Sequence, residues 1–113
     1  MARIQSSRDI AYLMRSRHAI VSGDIEVKAI RIAEEEMRCS FLIKKFPSFS
    51  AVNRNRWKRI MREIVRHNIY RIPLGYEFLI RLRTKPSIPL DYQRWERPVI
   101  DAIVATAHKA PFV

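Results

Sequence analysis

Cysteine, glycine and acidic residues are scarce in this sequence, and each shortage removes a class of answer. Cys39 is the only cysteine in 113 residues, so no internal disulfide can form. With no second thiol and no C-x-x-C spacing, a structural zinc site lacks its ligands. So thiol-poor a chain fits a reducing, cytoplasmic setting. Two glycines argue against a loop-dominated or low-complexity fold. No apolar run approaches the roughly 20 residues that a membrane span needs. The opening MARIQSSRDIAYLMRSRH has no signal-type apolar stretch, and no membrane partner is expected.

What is present is a globular composition with a lopsided charge. The hydrophobic fraction is 48%, and the length suits a single domain over residues 1–113 with a core of its own. Lysine and arginine number 22 against 11 acidic residues, giving a formal net charge of +11 and a sequence pI near 10.7. Such a field attracts polyanions, chiefly nucleic acid.

Periodicity divides the chain into alternating elements. Ser6 to Arg17 has capping-box-like spacing at Ser6 and Asp9 and a helical apolar face at Ile10, Leu13 and Met14. After the turn signal Ser22-Gly23-Asp24, residues 25–33 alternate as a strand. Glu34 to Glu36 read as a charged hairpin connection to a second strand over 38–46, whose run Phe41-Leu42-Ile43 suggests a buried place in the sheet. A helix is expected from Ala51 or Arg54, capped by Ser50 or Asn53, to His67 or Tyr70. A third strand covers 76–83. Asp91 is positioned to cap a last helix carrying Trp95, Ile100, Ile103, Val104 and Ala107. Pro98 implies that this helix starts nearby or is kinked. The order α-β-β-α-β-α points to an α/β sandwich, one small sheet covered by helices.

The middle helix, RNRWKRIMREIVRH, carries the function. At 100° per residue Trp57, Ile60, Met61, Ile64 and Val65 share an arc of about 140° that suits a core. Asn55, Arg59, Arg62 and Arg66 fall opposite, Arg54 and Lys58 flank one edge of the arc, and Arg56 lies near the other. Glu63, one turn after Arg59, is placed to pair with it. Arginine forks match phosphate oxygens in pairs, and each neutralised phosphate releases counterions. A solvated basic face would balance its charge better than this. An intrinsic nuclease would need carboxylates or histidines converging on a metal or a water. His18, His67 and His108 have no such spacing. A basic-region DNA helix would carry a heptad zipper, which is missing.

Arg54-Asn55-Arg56, Lys58-Arg59 and Arg62-Glu63 resemble the signature of the bacterial ribonuclease P protein component. Ala51-Val52 before them, Gly75-Tyr76-Glu77-Phe78-Leu79-Ile80 after them, and SSRDIAYLMR near the start resemble the same family in order. The resemblance implies a two-layer α/β sandwich of order α-β-β-β-α-β-α with a left-handed β-α-β crossover, a fold shared with a ribosomal-protein domain. The additional strand would be residues 18–22. It also implies a function: binding the catalytic ribonuclease P RNA and the 5′ leader of precursor tRNA, in an enzyme whose RNA carries the chemistry with Mg²⁺ held mainly by that RNA. No obligate protein partner is implied. The RNA-binding set would be Arg54, Asn55, Arg56, Lys58, Arg59, Arg62 and Arg66, with Lys44 and Lys45 adjacent. The leader cleft would draw on Ile10, Met14, Lys28 and Phe78.

Three features depart from the family pattern. Ile10 and Met14 stand where it offers phenylalanines, and core packing accounts for them equally well. Lys28 stands where a tyrosine is common, which removes a stacking platform and substitutes a phosphate contact. Lys44-Lys45 comes two residues early, followed by Phe46-Pro47-Ser48-Phe49. Those phenylalanines are either stacking residues or, in keeping with their apolar character, a local plug. The rival reading is a ribosomal-type or other RNA- or DNA-binding protein with no role in tRNA processing.

Overall fold

A computed structural model of the chain describes residues 4–5 and 19–110. The helix expected over Ser6 to Arg17, with Ile10 and Met14, lies outside the described residues. Apart from one strand more than the implied order holds, Ile4–Gln5 near the start, the described elements follow that order. Strand β1 is Ile4–Gln5, β2 Ala19–Ser22, β3 Ile25–Arg31 and β4 Met37–Ile43. Helix α1 is Ala51–His67, followed by a short 3-10 turn at Ile69–Arg71, strand β5 at Tyr76–Leu82 and helix α2 at Tyr92–Lys109. The strand that periodicity alone passes over, β2, pairs antiparallel with β3 across the turn at Gly23, whose φ of +58° suits a residue without a Cβ.

The sheet order is β1-β4-β5-β3-β2, and this corrects the hairpin expected at Glu34–Glu36. β3 and β4 are not neighbours. β5 lies between them, antiparallel to β3 and parallel to β4, with α1 as the crossover from β4. β5 is therefore central, and its run Phe78-Leu79-Ile80 is buried on both faces as interior strands require. The run Phe41-Leu42-Ile43, expected to be the buried one, is only half-buried. β1 pairs with β4 at Met37 and Arg38, and among the described residues no strand pairs with the rest of β4 on that side.

Both helices cover one face. Inward residues of the strands, among them Val27, Cys39, Phe78 and Ile80, meet Trp57, Met61 and Ile64 of α1 and Trp95, Val99 and Ile103 of α2 in one core. Thr106 ties α2 to the sheet: its hydroxyl donates to Ala102 O at 2.6 Å and to Val27 O at 3.4 Å. Burial pushes the Cys39 thiol up to about 12, which makes it a core filler rather than a nucleophile. Helix α2 begins at Tyr92 and continues through Pro98. The missing N–H falls at an exposed position, where water can serve the Arg94 carbonyl.

Candidate nucleic-acid interface

Helix α1 forms where its cap allows. The Ser50 hydroxyl accepts from Asn53 N at 3.1 Å, so Ser50 is the N-cap and Asn53 lies inside the first turn. At the other end Asn68 stops the helix, its Nδ2 donating to Ile64 O at 2.8 Å and to Glu96 Oε2 at 2.9 Å. Between these points Trp57, Met61, Ile64 and Val65 have no exposed surface and Ile60 very little. The apolar arc thus fixes the rotation of the helix, packing on α2 and β4. Everything opposite is turned to solvent.

That outer face is a field of cations. Asn55, Arg56, Arg59, Arg62 and Arg66 are exposed, while Arg54 and Lys58 are half-buried at the edge. Among the described residues no ion pair engages any of these cations. The Arg59–Glu63 pair expected from spacing is not formed. The Tyr92 pKa is raised by burial and then by the hydrogen bond to Glu96, with the Glu63 charge a smaller cause. The first turn of α1 holds no acidic residue, so the positive end of the helix dipole adds to the field. Lys44 and Lys45 are exposed where β4 ends, at the start of the loop that leads into α1. The loop itself folds inward. Phe49 is buried and meets Phe46 edge-on, 6.1 Å between centroids, while Ser48 takes the left-handed region at φ 62°. The phenylalanines are a plug, and the extra residues leave the lysines at the strand end.

Residues 1–104 match the family described as Ribonuclease P. This chain belongs to the ribonuclease P protein family. Solved structures agree in fold: an RNase P protein from Thermotoga maritima is 23% identical with a TM-score of 0.74, covering 85% of this chain and 89% of that one. A Staphylococcus aureus RNase P protein is 16% identical with a TM-score of 0.72, covering 95% and 96%. Among curated proteins, none matches the chain. The chain is a protein subunit of ribonuclease P, and its role lies in tRNA processing.

Of the expected leader-contacting residues, the structure describes Lys28 and Phe78, which lie on opposite faces of the sheet. Ile10 and Met14 lie outside the described residues. Phe78 is corrected: it is fully buried in the core beneath the helices and stacks on Tyr76 at 5.8 Å. Strand alternation explains this, since Phe78 shares a side with Ile80 and Leu82 while Glu77 and Leu79 point to the other face. Lys28 does lie on that other face, largely buried, with Nζ 4.0 Å from Glu26 Oε1. The same face holds a buried charge cluster in which Arg38 binds Glu77 at 3.1 Å and Glu34 at 3.4 Å, with Glu36 in close contact. Burial works against the charged guanidinium there, and the surrounding carboxylates outweigh it, holding its pKa above the ordinary value.

Two features escaped the sequence reading. Tyr70, 81% exposed, follows α1 directly and sits beside Arg71. An aromatic between cations was the available signal. The second is a concavity of about 550 Å³ between Val52, Arg56, Arg59 and Ile60 of α1 and the segment Leu90 to Tyr92. No local pattern could indicate it, because it joins segments distant in sequence. A larger hollow of about 820 Å³ runs from Asn68 and Arg71 to α2, where Glu96 and Asp101 offset Arg71 and Arg97. It carries no net field to attract a polyanion.

Proposed function

We propose that the outer face of α1, with Lys44 and Lys45, docks this subunit on the catalytic RNA of ribonuclease P in the cytoplasm. The complex removes the 5′ leader of precursor tRNA. The observation that carries this reading is the contrast within one helix: its apolar side is locked in the core, and the cations opposite form no ion pair among the described residues. Unpaired arginine forks are available to phosphates, and assembly accordingly weakens steeply with salt. Phe78, buried in the core, takes no part in leader binding in this proposal.

The RNA supplies the chemistry in this proposal, and Mg²⁺ is held by its phosphates. Among the described residues no three His, Cys, Asp or Glu side chains are grouped to hold a metal. No step is assigned to the side chains of this chain. The test is cleavage of precursor tRNA at low magnesium by a bacterial ribonuclease P RNA, with this protein, without it, and with an unrelated basic protein. Restoration of correct 5′ cleavage by this protein alone is the expected result. Equal restoration by the unrelated protein would reduce the arginine face to a non-specific polycation.

A further inference from the structure

The concavity beside the arginine face has a chemistry of its own. Val52 forms one wall and is 75% exposed, an unusual position for a β-branched apolar residue on a charged helix. Ile60 and Leu90, both buried, make an apolar floor. Tyr92 contributes its ring, its hydroxyl being engaged by Glu96 at 2.7 Å and His67 at 3.1 Å. Arg56 and Arg59 reach the hollow from α1 and Asp91 from the start of α2, yet neither arginine forms an ion pair with Asp91. One Asp91 oxygen accepts from Gln93 N at 3.2 Å as the cap of α2.

A phosphate alone does not suit this site, since Asp91 would repel it and the apolar floor would gain nothing. A protein side chain would leave the two cations without partners. A nucleotide satisfies every group: phosphate to the guanidinium groups, base plane on the apolar floor and the Tyr92 ring, and an exocyclic amine to the Asp91 carboxylate. A base inside a duplex is not free to enter, so the nucleotide must be unpaired.

We propose that the hollow between α1 and the Leu90–Tyr92 segment binds one unpaired nucleotide of the RNA that the arginine face docks on, its base carrying an exocyclic amine as adenine, cytosine and guanine do and uracil does not. This rests on the RNA-binding reading above and adds base selection to a face that otherwise reads only phosphate.

The test uses the full chain and a bacterial ribonuclease P RNA. A photoreactive Val52→p-benzoylphenylalanine variant is assembled with the RNA, irradiated, and its crosslinks are mapped. Crosslinks confined to one or two unpaired adenines, cytosines or guanines are expected. In parallel, Val52→Trp fills the hollow, weakening RNA binding roughly tenfold with an unchanged salt slope and melting temperature. Replacing the mapped base with uracil weakens the wild type but leaves Asp91→Asn, which keeps the helix cap, indifferent. Crosslinks scattered over paired helices, or Val52→Trp binding like the wild type, overturn the hollow while leaving the arginine face in place. Failure of the wild-type chain to bind the RNA at all overturns both.

Discussion

Two groups of arginine in this protein live by opposite rules. Arg38, on the sheet face away from the helices, is 4% exposed and ringed by Glu34, Glu36 and Glu77. Arg56, Arg59, Arg62 and Arg66 on α1 are exposed and make no ion pair among the described residues. Both groups answer to desolvation. A buried guanidinium must be matched by fixed carboxylates or it destabilises the fold. An exposed one keeps its water until a better anion arrives. Pairing, rather than residue type, separates structural charge from charge kept for a ligand.

The strongest way to break the comparison is to remove the paired cation. Arg38→Ala removes a buried guanidinium that binds Glu77, a fully buried carboxylate, and should cost about 3–5 kcal/mol of stability, read by denaturant unfolding. Trp57→Ala, on the buried side of the helix whose outer side carries the free cations, should cost about 3–5 kcal/mol. An unchanged melting temperature for either variant would dissolve the distinction between anchored and displayed faces. Arg59→Ala with Arg62→Ala should leave melting unchanged while weakening RNA assembly by about 2 kcal/mol and reducing the salt slope by about two. Normal assembly of that double variant at moderate salt would mean that the free cations are merely solvated. Ser50→Ala removes the hydroxyl that starts α1 and should cost about 1 kcal/mol, measured by thermal unfolding.

The smallest effect is a pH dependence at the α1–α2 contact. Hydrogen bonds from Asn68 and then Tyr92 hold the Glu96 carboxyl below the usual carboxylate range. Its contribution is present above the unfolded-state pKa and is lost as pH falls through the lower folded one. Burial, followed by the bond to Glu96, raises Tyr92 to about 12, so its contribution is lost only as pH rises through that value. Unfolding measured against pH should show a shallow loss at the acid end that Glu96→Gln abolishes.

Much of the candidate site was legible because helical periodicity is local. The rotation of α1 follows from five apolar residues on one arc, and each of them is buried. The fate of Phe78 was less legible: alternation places it opposite Glu77 and Leu79 without saying which side the helices cover. The run Phe41-Leu42-Ile43 misled for the same reason, since an apolar run marks burial only when strands flank it on both sides. The Arg59–Glu63 pair is not formed among the described residues, since helical spacing permits such a pair on a solvated face without holding it.

By itself, then, the sequence determined the two described helices and most of the strands, the excess of cations and the face of α1 that displays them. These depend on residues a few positions apart on one element. Only the tertiary structure decided that β5 sits between β3 and β4, that Glu77 neutralises an arginine 39 residues earlier, and that Val52 meets Leu90 and Tyr92 across a hollow. Those outcomes depend on which distant segments share a boundary with water excluded, and a local pattern fixes the side a residue faces without naming what it will meet there.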